Sequence, residues 1–190
     1  MTRQEDVLDE VELFGGAVKM RIPKRFFDIS KVRQVPDSQE VFADANTDQS
    51  FVLEMLSMSE DVSDQDIARY LFDDMADANG AESRSIVTEV SVQNDDRYPN
   101  IVGNVYKAAI IGEQQVAKYN EQATNTLHIC MGVIRIKNHS TDVLLTFNNP
   151  VAIHPESSSS KTSVPEGNTT DNLFWNVFKS IEIVDYGLFE

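Results

Sequence analysis

With 190 residues, 41% hydrophobic and 25% charged, the chain is long enough to pack one core without disulfides or metal to hold it. Sixteen Lys and Arg stand against 31 Asp and Glu, a formal net charge of -15. An acidic surface repels nucleic-acid phosphates and anionic lipid, so neither nucleic-acid binding nor membrane docking is expected; it favours a basic partner, or serves solubility alone.

The N-terminal stretch MTRQEDVLDE has no apolar signal region, and no run approaches the roughly 18 apolar residues of a membrane span. The single cysteine, Cys130, lies inside an apolar run. It reads as a small core residue rather than a nucleophile, and one cysteine makes no internal disulfide, which points to a reducing compartment. The Asn-X-Ser/Thr matches at Asn138 and Asn168 read as chance in such a compartment.

Residues 1–12 are polar and acidic and predict a frayed tail. Leu13-Phe14-Gly15-Gly16 follows as a turn. From Ala17 to Ile22, Val18, Met20 and Ile22 alternate with Lys19 and Arg21, the pattern of a half-buried strand, ended by Pro23. Asp28 or Ser30 can cap a short helical turn before Pro36. Strands are predicted at 40–43 and 50–57, separated by turn chemistry at 44–48. Ser63, with Asp66 three residues on, opens a helix whose apolar stripe is Ile67, Tyr70, Leu71 and Met75, closed by Asn79-Gly80.

The following region is strand-rich. Alternation marks 86–92, 105–118 and 126–137, with 142–148 as a hairpin partner turning at 138–141. Leu127, Ile129, Met131 and Val133 lie on one face of their strand, while Cys130, Ile134 and Ile136 lie on the other. Apolar residues on both faces predict a central strand covered from both sides. Residues 155–170, PESSSSKTSVPEGNTT, read as a mobile polar loop. Thr170 then caps a last helix carrying Leu173, Phe174, Val177, Phe178 and Ile181. Together these elements predict an α+β fold, an α/β/α sandwich, with a roughly six-stranded, mainly antiparallel sheet flanked by helices on both faces. The division is a flexible tail at 1–12 and a single domain at 13–190.

Chemistry is sparse. None of His128, His139 and His154 has a neighbouring His or Cys at metal-ligand spacing, so no metal site is expected. His128 reads as a structural histidine on a strand, the other two as solvated loop residues. No nucleophile elbow or phosphate-binding glycine loop is present, and no cofactor or catalytic residue is assigned. Charge is uneven: residues 19–33 hold Lys19, Arg21, Lys24, Arg25, Lys31 and Arg33 against Asp28, and residues 54–77 hold eight acids against Arg69. In VPDSQEVF, Asp37 and Glu40 sit between Val35-Pro36 and Val41-Phe42. The two carboxylates can clamp a partner's Arg or Lys. Alternatively Asp37 makes an Asx-turn and Glu40 is simply solvated.

The blocks LFGGA (13–17), DIS (28–30), RQVPDSQEVF (33–42), TDQS (47–50), QQVAK (114–118) and TDVLLTFN (141–148), in this order, resemble the Ran guanine nucleotide release factors. The closing Val184-Asp185 and Leu188-Phe189 are similar to that family's C-terminal end. The resemblance implies a PsbP-like fold, binding to the Ran GTPase, release of its guanine nucleotide and a part in nuclear protein import, as a monomer in nucleus and cytoplasm and not as an enzyme. It places the Ran-binding acids on Asp37 and Glu40, with Pro36, Gln39, Val41 and Phe42 as the supporting motif. Pro23-Lys24-Arg25 departs from the family by being more basic.

Overall fold

The computed structural model describes residues 6–90, 96–118, 120–164 and 169–189. Asn168 of the second sequon lies outside them, as do residues 1–5 of the expected tail.

Among the described residues ten strands and two α-helices follow one another. The main sheet has seven strands, one more than the alternation predicts. They are β3 (Phe27–Asp28), β4 (Gln39–Ala43), β5 (Ser50–Ser57), β6 (Ser83–Val90), β7 (Val105–Ala117), β8 (Thr124–Ile136) and β9 (Thr141–Ala152). Their spatial order is β3-β4-β5-β9-β8-β7-β6, and every pair is antiparallel. The extra strand is β3, whose two residues are too few to show a period.

A second sheet, not foreseen, orders β1 (Leu8–Leu13), β2 (Val18–Pro23) and β10 (Glu182–Ile183) as β1-β2-β10. Residues 8–12, expected in the tail, are thus a strand. Leu8 faces Pro23 and Leu13 faces Val18 in an antiparallel ladder. Acidic side chains hid the apolar set Leu8, Val11 and Leu13, which packs on the core.

The alternation along β8 sorts the two faces. Ile129, Met131 and Val133 join Tyr106, Ala108, Ile110 and Leu144 beneath α1 (Ile67–Ala78), through Ile67, Leu71 and Phe72. Cys130, Ile134 and Ile136 join Val143, Leu145, Phe147, Phe51 and Leu53 on the other face. There α2 (Thr169–Lys179) supplies Phe174, Val177 and Phe178, and the small sheet supplies Val18, Met20 and Ile22. That face is therefore covered by a helix and a second sheet, not by helices alone. Glycines allow the close packing: a methyl group at Gly112 would come within 2.6 Å of the Phe72 ring, and one at Gly132 within 2.5 Å of the Phe178 ring. Asp66 closes the pre-helical turn with Ser63, its N–H reaching Ser63 Oγ at 3.3 Å, and Gly80 ends α1 with φ of +63°. Thr170 falls inside the first turn of α2, and its side chain lies outside the described residues.

The serine segment is not a loose loop where it is described. A 3-10 turn at Ser158–Lys161 buries Ser159. Asn125 Nδ2 donates to Ser157 Oγ at 2.9 Å, Ser159 Oγ donates to Asp48 at 2.6 Å, and the Ser163 N–H donates to the Asn46 carbonyl. A composition that reads as disorder becomes ordered here because each small hydroxyl finds a partner from another element.

Candidate partner-binding site

Asp28 accepts a hydrogen bond from Ser30 N at 2.9 Å and starts the 3-10 turn Ile29–Lys31. Five residues on, Pro36 fixes the backbone, and the Gln39 N–H donates to the Pro36 carbonyl at 2.9 Å. Asp37 and Ser38 are the central residues of this turn. The turn is braced to β5 by Met55 N–H on the Ser38 carbonyl and by Gln39 Nε2 on Glu54 at 2.6 Å. Phe42 is buried in the core, and Val41, half-buried, pairs with Val52 across β4 and β5.

Asp37 is exposed, and its carboxylate takes no hydrogen bond or ion pair among the described residues. The turn closes through the backbone, so the Asx-turn alternative is not the one used. Glu40 behaves differently. It is half-buried, and its Oε1 accepts from the Phe14 N–H at 2.7 Å. Phe14, Gly15 and Gly16 have φ of +50°, +67° and +95°. This left-handed run explains the two glycines and turns the Phe14 N–H towards β4. Glu40 is thus neither simply solvated nor wholly free: it ties the LFGGA block to the VPDSQEVF block, leaving Oε2 without a hydrogen bond among the described residues.

Half of the basic run is neutralised within the fold. Lys19 pairs with Glu10, Lys24 with Asp9, and Arg25 with both Asp6 and the buried Asp44. The antiparallel register of β1 and β2 sets acid against base, which no reading along the chain alone exposes. Lys31 and Arg33, exposed and without an ion pair among the described residues, stand just before the Asp37 turn.

Other blocks of the resemblance are scaffold. In TDQS, Gln49 Nε2 donates to Asn149 at 2.7 Å and the Thr47 hydroxyl to Asp44 at 2.8 Å. In QQVAK, Gln114 Nε2 donates to the Phe72 carbonyl and Lys118 pairs with Asp48. In TDVLLTFN, Asp142 is buried and holds Arg135 through two oxygens at 2.9 and 3.2 Å. Arg135 also donates to the Val62 and Ser59 carbonyls and pairs with Asp64, which binds Lys137 as well.

Of the histidines, His139 is not merely solvated: its ring stacks on Tyr186 and borders Phe189. His154 is exposed. His128 is bonded to Asp171, 2.8 Å from Nε2, and Cys130 lies 3.6 Å from the same carboxylate oxygen. His128 and Cys130, two apart on β8, share a face. The partner they share comes from α2, far along the chain, so no local spacing announces it.

The family described as "Ran-interacting Mog1 protein" matches residues 11–150, nearly three-quarters of the sequence. The chain belongs to the Mog1 family. A zebrafish protein named Ran guanine nucleotide release factor is 39% identical over 179 residues, covering 93% of this chain and 97% of that protein. A Dictyostelium discoideum protein named probable ran guanine nucleotide release factor is 31% identical over 190 residues, 97% of each. The Schizosaccharomyces pombe nuclear import protein mog1 is 32% identical, covering 81% of this chain and 82% of that one. The crystal structure of the Saccharomyces cerevisiae Ran-binding protein Mog1p superposes with a TM-score of 0.75 at 22% identity, covering 98% of this chain and all of that one. Cyanobacterial PsbP from Synechocystis gives 0.58 at 11% identity, covering 96% of each chain. These last two likenesses establish the fold: the Mog1 chain has the PsbP-like architecture. Among the described residues no helix is long and apolar enough to cross a membrane.

Proposed function

We propose that this Mog1 protein binds Ran and promotes release of its guanine nucleotide, in support of nuclear import and without catalytic chemistry of its own. It would act as a monomer in nucleus and cytoplasm. The observation that carries this reading is the contrast inside one motif: Asp37 projects unpaired from a turn anchored to β5, while Glu40 is held at the Phe14 N–H. An unpaired carboxylate on a rigid turn pays little ordering cost when it meets a basic side chain. Such a charge-assisted bond contributes about 1.5–3 kcal/mol.

Asp37 is the primary contact in this reading, and Glu40 contributes its remaining oxygen while fixing the Phe14–Gly16 turn beside it. Pro36, Gln39, Val41 and Phe42 set the angle of presentation. If the protein binds nucleotide-free Ran more tightly than nucleotide-bound Ran, linkage requires it to weaken the nucleotide by the same factor.

The test is dissociation of a fluorescent guanine nucleotide from Ran. Wild-type protein accelerates it; Asp37→Lys combined with Glu40→Lys does not, and a circular-dichroism melt controls for folding. Wild-type protein that binds Ran without accelerating release identifies an adaptor instead, and unchanged release by the folded double variant removes these acids from the mechanism.

A further inference from the structure

We propose that His128, Cys130 and Asp171 form a site for one divalent transition-metal ion of the zinc class. The inference is independent of the Ran reading and lies away from the Asp37 turn.

Two strands of geometry support it. First, the donors converge from different elements. His128 and Cys130 project from the same face of β8, and Asp171 sits in the first turn of α2. One ligand atom from each lies within 4.8 Å of the other two. His128 Nε2 is 2.8 Å and Cys130 Sγ 3.6 Å from Asp171 Oδ1. Tetrahedral zinc with ordinary bond lengths separates such donors by about 3.4–3.6 Å. The sulfur–oxygen pair already has that spacing, and the histidine–carboxylate pair must open by about 0.6 Å.

Second, the donor set is selective. A thiolate, an imidazole and one carboxylate suit zinc or cobalt, whereas magnesium and calcium want oxygen alone. The sulfur is deeply buried, yet the Asp171 side chain is 41% exposed, so solvent reaches the open side of the cluster and can supply the fourth ligand.

A divalent ion placed between sulfur and carboxylate would be ligated by both. The metal–sulfur bond replaces the S–H bond and releases one proton to solvent. The neutral imidazole keeps its proton on Nδ1 and gives Nε2 to the metal. Affinity therefore rises with pH. Occupancy would tie the start of α2 to the centre of the main sheet.

Cobalt(II) alone, titrated into the reduced, metal-stripped full chain, is the probe. The expected result is one ion per chain with a thiolate-to-cobalt charge-transfer band in the near ultraviolet, displaced by added zinc. Cys130→Ala loses the band. Asp171→Asn, a half-exposed change that leaves the core alone, weakens binding by on the order of tenfold or more. Zinc raises the thermal midpoint of the wild type and not of Cys130→Ala. Absence of the band, or cobalt binding by Asp171→Asn equal to wild type, overturns the site. Band-free binding that Cys130→Ala leaves unchanged also overturns it, placing the metal on surface carboxylates.

Discussion

Asp142 and Asp37 belong to the same ordered set of family blocks, yet one is 1% exposed and the other stands in solvent with no partner among the described residues. Asp142 neutralises Arg135 inside the fold. Asp37 neutralises nothing among the described residues and stands on a turn closed by backbone hydrogen bonds. A motif residue is thus equally visible in sequence whether it holds the scaffold or meets a partner. Between the extremes stand Asp44, buried against Arg25, and Glu40, half-buried against a backbone amide. The four acids form a gradient along which stability effects should fall as the scope for partner effects rises.

Asp142→Ala has the largest expected effect. It leaves the buried Arg135 guanidinium without its bidentate partner, and such losses cost about 3–5 kcal/mol. Chemical denaturation measures it; a cost below about 1 kcal/mol would show that Asp64 and the two carbonyls suffice to hold Arg135.

Asp44→Asn comes next, at about 2 kcal/mol, since a charged acceptor loses its bonds to Arg25 and Thr47. This contribution depends on pH. Burial alone would push the Asp44 carboxyl up, but the Asn46 N–H, the Thr47 hydroxyl and Arg25 outweigh it and hold it below its ordinary 3.8. The folded state therefore favours the ionised form. The stabilisation is fully present above 3.8 and is lost as the pH falls through the lower folded value. The wild type should lose stability more steeply than Asp44→Asn as the pH drops below about 4, a window set by the ordinary carboxylate value. Parallel acid titrations would contradict this.

Glu40→Ala should cost about 1 kcal/mol, the value of a partly exposed hydrogen bond to the Phe14 N–H. It should also broaden the amide resonances of residues 14–16 as the left-handed turn loosens. Asp37→Asn closes the series. Its stability should stay within about 0.5 kcal/mol of wild type, as for surface positions generally. Its Ran-dependent nucleotide release should nonetheless fall more than that of Glu40→Ala. Equal losses of release by the two variants would dissolve the distinction between contact and support.

The elements with a strong period were legible without the structure. The two-faced pattern of β8, its hairpin with β9, Ile67 and Leu71 of the α1 stripe and the Asp28 cap are local consequences of side-chain spacing, and the fold keeps them, whereas Tyr70 of that stripe is exposed and Phe72 is buried in its place. The strand at Leu8–Leu13 and the 3-10 turn at Ser158–Lys161 are not legible in the same way, because composition reports average polarity. Leu8, Val11 and Leu13 find β2 and the core in space, and Ser157 and Ser159 find Asn125 and Asp48. The uneven charge of residues 19–33 is halved for the same reason, since Lys19 and Lys24 meet Glu10 and Asp9 of the neighbouring strand and Arg25 meets Asp6 and Asp44.

RQVPDSQEVF was visible from the beginning as the stretch that could carry an acidic contact, because proline and flanking apolar residues rigidify it locally. Which acid is available was decided only by tertiary structure. The Phe14 N–H is 26 residues from Glu40 and reaches it only when the Phe14–Gly16 turn and β4 pack together. The His128, Cys130 and Asp171 cluster depends likewise on α2 settling over β8. Local spacing determines periodicity and turns; which distant groups desolvate one another is fixed only by the packed chain.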